Sequence, residues 1–124
     1  MDDTTFEQLV VEALEALPEE FQRALDNVEV FIERRPLPHH RRAAGLKPWQ
    51  RGALYGLYEG IPLPERAGGY TLVPPDTITL FSDALRRDFP APAALREQVR
   101  RTVLHELAHY FGIDDDRLHD LGAY

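Results

Sequence analysis

The longest helical pattern in the chain, Ala93 to Phe111, constrains the fold more than any other feature. Ala91-Pro92 precedes it, and proline is favoured in the first turn of a helix. Gly112 follows it and is suited to a left-handed C-cap. One face of this predicted helix is apolar and consists of Val99, Val103, Leu104, Leu107 and Phe111. We therefore expect that face to pack against the core.

The less apolar face of the same helix carries the run His105-Glu106-Leu107-Ala108-His109. Residues four apart project from one side of a helix, so the two imidazoles lie one turn apart. Two nitrogen ligands on a rigid helix suit tetrahedral zinc. Glu106 is rotated by about 100° from His105, so it flanks the metal and can accept a proton from water. The run predicts a zinc site formed by His105 and His109, with Glu106 as general base.

A catalytic zinc site needs a third protein ligand and an open position for water. The 15 residues after His109 contain no glutamate, so a later glutamate cannot supply that ligand. The candidates are Asp114, Asp115, Asp116, His119 and Asp120. The spacing His-Glu-x-x-His-x-x-Gly-x-x-Asp favours Asp115, with His119 as its main rival. An open site of this kind can lose its zinc during purification.

The remaining patterns predict two helices, Thr4–Leu17 and Glu19–Leu25, followed by three strands, Val28–Glu33, Ala53–Glu59 and Thr77–Phe81. Thr4 and Glu7 have the form of a capping box. A helical turn over 82–87 follows the strands, and a short helix over 114–121 ends the chain. This order indicates an α+β domain in which a small sheet packs on the main helix.

A basic segment interrupts this otherwise acidic chain of net charge −7. Residues 34–51 contain six Arg or Lys residues and no acid, and the three prolines and two glycines of 34–52 predict a long loop. This loop is either solvated, with its positive charge offsetting the negative charge of the rest of the chain, or it binds an acidic partner or nucleic acid. The net charge disfavours general nucleic-acid binding. His39 and His40 could approach a metal only if the loop folded over it.

A possible substrate edge is the strand segment Gly56-Leu57-Tyr58. An extended peptide can add to an exposed strand edge, and a glycine inside a strand indicates a bulge or a close backbone approach. Tyr58, Tyr70 and Tyr124 could each stabilise an oxyanion, although aromatic packing is the commoner role of such residues.

Composition bounds the class of protein. With 124 residues we expect a single domain over 1–124. The absence of cysteine excludes disulfides and thiolate ligands. Charges break up the apolar stretches, so no membrane span is expected. The acidic N-terminus does not resemble a signal peptide, which favours a cytoplasmic location.

The chain also resembles the bacterial minimal zincin-like metallopeptidase family. The resemblance covers nearly the whole chain and is carried by the segments 6–10, 17–21, 56–63, 75–81 and 99–113, and by Asp115, Arg117-Leu118 and Leu121-Gly122. It implies a minimal zincin-like α+β fold, with a three- or four-stranded mixed sheet packed on an active-site helix and a backing N-terminal helix. It also implies metal ligation by His105, His109 and Asp115, with Glu106 as the catalytic glutamate. Metzincins have a methionine beneath the metal, whereas Met1 is the only methionine here.

These observations predict a zinc metallopeptidase that hydrolyses peptide or protein substrates with metal-activated water and Glu106 as general base. The alternative is a non-catalytic metal-binding or protein-interaction domain that retains the motif, because so short a chain offers no second lobe to exclude water from the cleft. The sequence indicates neither a particular substrate nor an oligomeric state.

Overall fold

A computed structural model describes residues 1–46, 52–60 and 76–112, together with Asp116 and Asp120. The helices are α1 (Asp3–Glu15), α2 (Glu19–Ala24), α3 (Pro38–Ala43), α4 (Ser82–Asp88) and α5 (Pro92–Phe111), and the strands are β1 (Val28–Glu33), β2 (Gly56–Glu59) and β3 (Asp76–Phe81). The 3-10 turn Leu25–Asn27 links α2 to β1. None of the helices described has the length and apolar content required to span a bilayer.

The sheet is mixed and has the strand order β1-β3-β2 within the described residues. β1 and β3 are parallel, and β2 runs antiparallel to β3. Ile78 and Leu80 of β3 are fully buried, as expected for the central strand. The position of β2 at the side of the sheet leaves one of its edges facing α5 and the cleft described below.

The core lies between the sheet, α1 and α5. Phe6, Leu9, Val10 and Ala13 of α1 are buried against α5, whose buried residues include Val99, Val103, Leu104 and Leu107. This arrangement confirms the expected α+β fold, in which a small mixed sheet packs on the long helix and an N-terminal helix backs it. The bounds predicted for α5 are within one residue of the observed ones, and Gly112 has the expected left-handed conformation, with φ 68° and ψ 31°.

The start of α1 differs from the prediction. The Asp2 carboxylate accepts a hydrogen bond from the Thr5 N–H at 2.7 Å, so Asp2 rather than Thr4 is the N-cap. The predicted capping box of Thr4 and Glu7 is therefore wrong. An aspartate at this position also places its negative charge at the positive end of the helix.

The expectation of a structureless loop over 34–52 is also wrong. Residues Pro38–Ala43 form α3, with Pro38 in its first turn. His40 is buried, and its Nδ1 accepts a hydrogen bond from the Leu37 N–H at 2.9 Å. Its ring lies 5.2 Å from that of Phe81. His40 thus packs α3 against the end of β3. Neither His39 nor His40 lines the cleft beside α5. Residues 47–51 lie outside the described part.

Candidate metal centre

Helix α5 presents one face to the core and the other to a cleft. Val99, Val103, Leu104 and Leu107 are fully buried in the core. Gln98, Thr102, His105, Glu106 and His109 line the cleft on the other side. The periodicity of about 3.6 residues per turn produces this division, and it agrees with the two faces predicted from the sequence.

The two histidines lie one turn apart, with ring centroids separated by 5.2 Å and ring planes inclined by 66°. One ligand atom from each of His105, Glu106 and His109 falls within 4.8 Å of the others. Two nitrogens bound to one tetrahedral zinc lie roughly 3.4 Å apart, given bond lengths of about 2.05 Å. Small side-chain rotations would bring the imidazoles to that separation, so the donors described fit two positions of a zinc site.

The third predicted ligand lies outside the described residues. Asp115 and its rival His119 both belong to this part of the chain, as does Asp114. Asp116 and Asp120 are described, and both are exposed. The site is therefore defined structurally by α5, and the choice of third ligand still rests on the spacing after His109.

Glu106 is held at the boundary between the cleft and the core. Only 6% of the residue is exposed, and its Oε1 accepts a hydrogen bond from the Tyr58 N–H of β2 at 3.2 Å. Its Oε2 lies 3.6 Å from His109 Nδ1. Burial raises the pKa of Glu106 to about 7, against the opposing effect of the Tyr58 N–H. The carboxyl group can therefore exist in both protonation states near neutral pH, as proton transfer requires.

The cleft beside this glutamate lies between β2 and α5 and has a volume of about 570 Å³. All three predicted substrate-edge residues, Gly56, Leu57 and Tyr58, line it. Gly56 also confirms the expected close approach, because a Cβ placed there would lie 2.7 Å from Thr102 Cγ2. The missing side chain lets β2 lie directly against α5.

The hydrogen-bond pattern of β2 shows which backbone groups face away from β3. The Phe81 N–H donates to the Tyr55 carbonyl at 2.9 Å, and the register pairs Leu57 with Thr79. Hydrogen-bonded pairs alternate along an antiparallel ladder, so the backbone groups of Gly56 and Tyr58 point away from β3. The Tyr58 N–H therefore points toward α5, where it donates a hydrogen bond to Glu106 Oε1. The same edge carries the backbone groups of Gly56 and the Tyr58 carbonyl.

Tyr58 has a second link that the sequence did not suggest. Its hydroxyl donates to Asp76 Oδ2 at 2.6 Å, and Asp76 is almost completely buried at the start of β3. A role for the Tyr58 hydroxyl in stabilising an oxyanion would require it to leave this carboxylate. Tyr70 and Tyr124, the other two candidates, lie outside the described residues. Asp76 precedes the strand predicted over Thr77–Phe81, and nothing in the sequence indicates such a contact.

Arg101 is another cleft residue that the sequence reasoning missed. It lines the cleft and bonds to Glu97 Oε1 at 3.0 Å. The helical spacing could have predicted this position, because Arg101 precedes His105 by four residues and therefore lies on the same face of the helix.

A long helix that carries His-Glu-x-x-His, packed beside the edge strand of a small mixed sheet and backed by a second helix, defines a protein of the zincin class. The family model of zincin-like metallopeptidases matches residues 25–123. The chain therefore belongs to the zincin-like metallopeptidase family, which implies a metal cofactor, typically zinc. A comparison with curated proteins finds no match.

Proposed function

We propose that this protein is a zinc-dependent peptidase formed by a single domain over 1–124. In this proposal His105, His109 and Asp115 hold the zinc, and Glu106 is the general base. The observation that carries it is the convergence of His105, Glu106 and His109 within 4.8 Å, in a cleft bordered by a strand edge. Membership of the zincin-like metallopeptidase family supports it.

The bound metal would supply Lewis acidity, which polarises a substrate carbonyl and lowers the pKa of a water molecule. Glu106 performs the proton transfers. The Tyr58 N–H holds Oε1 in place, so Oε2 is the oxygen that accepts the proton from water. The oxygen of this water adds to the carbonyl carbon of the substrate, and Glu106 passes the proton to the amine that leaves when the peptide C–N bond breaks. Burial of Glu106 favours the protonated form that this second transfer requires.

The substrate is proposed to be a peptide or protein segment that extends β2. The backbone N–H and carbonyl of Gly56 point away from β3 on the side of the cleft, and they can pair with an extended chain. Leu57 is 6% exposed, and its backbone pairs with β3 rather than with the cleft, so it would support the edge instead of binding substrate directly.

Separate variants test the base and the third ligand. Glu106→Gln should bind zinc like the wild type and lose peptide hydrolysis by at least about 100-fold, as expected for removal of a general base. Asp115→Ala should lower zinc content after dialysis, whereas the matched control Asp116→Ala should retain it. Metal analysis and a broad peptide-library assay provide the two measurements. Cleavage by the zinc-loaded Glu106→Gln variant at the wild-type rate would refute the mechanism, and metal loss in His119→Ala but not Asp115→Ala would reassign the ligand.

A non-catalytic metal-binding or interaction domain is the second candidate, and the exposure of His109 favours it. Half of the His109 side-chain surface is open to solvent, so this side of the site excludes water poorly. One bound zinc per chain without turnover of any library peptide would support this function instead.

A further inference from the structure

A second concave surface adjoins the cleft and is basic. We call it the arginine pocket; it is lined by Arg34, Arg35, Arg41 and Arg87, with Asp83 as the single acid among the described residues of its lining. Its volume is about 800 Å³. Arg87 comes from α4, so the fold adds this cation to the basic segment noted in the sequence. On a chain of net charge −7, this local excess of positive charge is the reverse of the overall balance.

The arginine pocket borders the cleft. Leu54 lines both, and α3 contributes Arg41 to the pocket and Ala43 to the cleft. Glycine 52 and Ala53, which precede β2, lie on the pocket side. An extended chain that leaves the cleft along the backbone of residues 56 to 53 would therefore enter the arginine pocket.

The direction of β2 indicates which part of a substrate would reach the pocket. Glu106 contacts Tyr58, whereas Thr102, one turn earlier on α5, faces Gly56. A substrate antiparallel to β2 runs from the Tyr58 end toward Ala53, so the residues after its scissile bond lie nearest the pocket. From Tyr58 to Ala53 the chain advances five residues, or roughly 17 Å at about 3.4 Å per residue. Arg101, which precedes Thr102 on α5, also lines the cleft.

The arginines are accessible, and their present partners are exchangeable. The side chains of Arg35 and Arg87 are 84% and 66% exposed, and they pair with Asp83 and Asp88 respectively. Arg34 pairs with Asp3, which also binds Arg86. The side chains of the aspartates that pair with Arg34, Arg35 and Arg87 are themselves 64%, 46% and 31% exposed. Exposed ion pairs are weak, and a carboxylate from a ligand can replace them.

From this arrangement we propose that the arginine pocket binds acidic side chains of the substrate, about four to six residues beyond the scissile bond on its C-terminal side. The inference rests on the proposed peptidase function and assigns it a substrate class, segments that are acidic after the cleavage point. Guanidinium groups suit this task because they form paired hydrogen bonds with carboxylates.

A cleavage experiment tests the position of the acid. Wild-type protein is loaded with zinc and incubated with a randomised library of acetylated and amidated peptides, which removes terminal charges, and the products are sequenced by mass spectrometry. Glu and Asp should be enriched four to six residues after the cleaved bond. Matched Glu and Gln peptides should differ about three- to tenfold in kcat/KM at low salt, and less at high salt. Enrichment on the N-terminal side, or none, would overturn the proposal.

Matched variants assign the effect to the pocket. Arg35→Gln combined with Arg87→Gln should abolish the preference for Glu over Gln peptides and leave cleavage of the Gln peptides unchanged. Arg23→Gln is the control, because Arg23 pairs with Glu19 on α2 and lines neither concave surface. Retention of the acidic preference in a folded double variant would overturn the assignment.

A binding experiment keeps this inference separate from the peptidase proposal. Fluorescein-labelled alternating Ala-Glu and Ala-Gln peptides are titrated with the Glu106→Gln protein, and anisotropy is recorded. Preferential binding of the Ala-Glu peptide, lost in the arginine double variant, would support the pocket even if the wild type cleaved nothing. Equal binding of both peptides would refute it while leaving peptidase activity intact. Tighter binding of a single-stranded oligonucleotide than of the Ala-Glu peptide would also refute it.

Discussion

The contact between Gly56 and Thr102 fixes how closely β2 approaches α5, and it can be tested by a single methyl group. In Gly56→Ala the new Cβ would lie 2.7 Å from Thr102 Cγ2 and 3.4 Å from the Thr79 carbonyl oxygen. Non-bonded carbon atoms normally lie about 3.5–4.0 Å apart. The added methyl would therefore overlap Thr102 by about 1 Å, and β2 or Thr102 must move.

The expected loss of stability follows from two opposing effects. Overpacking by one methyl costs about 1–3 kcal/mol. Gly56 does not have a left-handed backbone conformation, so alanine can adopt its φ and ψ angles. Alanine also lowers the conformational entropy of the unfolded chain, which adds about 0.4–1 kcal/mol to the free energy of unfolding. We expect a net loss of about 1–2 kcal/mol in the free energy of unfolding, or a decrease in Tm of roughly 3–10 °C for a domain of this size.

Urea unfolding of a double-mutant cycle provides the assay. Thr102→Ser removes the Cγ2 methyl but keeps the hydroxyl that accepts a hydrogen bond from Gln98 at 3.3 Å. The double variant Gly56→Ala with Thr102→Ser should therefore recover most of the loss, with a coupling energy of about 1 kcal/mol or more. Additive effects of the two substitutions, within about 0.5 kcal/mol, would show that the packing argument is wrong.

Three further predictions concern other parts of the molecule. In the zinc-free protein, the pKa of Glu106 is about 7 in the folded state and about 4.5 in the unfolded state, so the free energy of unfolding of the wild type should fall by about 3 kcal/mol in total as pH rises through this window. Urea titrations of the wild type and of Glu106→Gln at pH 4 and pH 8 measure this change as the difference between the two proteins. A difference that does not vary with pH would contradict the prediction. Asp2→Ala should cost about 1 kcal/mol through loss of the α1 cap, whereas Thr4→Ala should cost less than half of that, as thermal unfolding can show. Leu107→Ala, at a fully buried position, should lower the free energy of unfolding by about 2–5 kcal/mol, as chemical denaturation can measure, although both histidines of the site are kept.

The parts of the fold that depend on local spacing could be predicted from the sequence. The bounds of α5, its left-handed end at Gly112 and its two faces follow from a period of about 3.6 residues and from one residue suited to the cap. His105, Glu106 and His109 share one helix, so their proximity needs no knowledge of the rest of the chain. The third ligand, by contrast, depends on how the chain turns after Gly112.

Competing local signals explain where the prediction of helices failed. Pro36, Pro38 and Pro48 suggested a loop, yet Pro38 occupies the first turn of α3, where proline needs no hydrogen-bond partner. At the first helix, both Asp2 and Thr4 can act as caps. The chain uses Asp2, and Phe6, about one turn later, lies in the core. Proline and capping residues mark boundaries, but the sequence alone leaves open on which side of them the helix lies.

The pairing of strands depends on contacts between distant residues, and here sequence patterns contain the least information. Gly56 shows what such a pattern can and cannot convey. A glycine inside a strand indicates that something lies close to the backbone, but only the fold identifies Thr102, 46 positions later, as the neighbour. The order β1-β3-β2 then places the edge of β2 against α5, and this contact brings the Tyr58 N–H to Glu106. The candidate general base is therefore specified locally by its helix and oriented by a strand that no local pattern could have assigned to it.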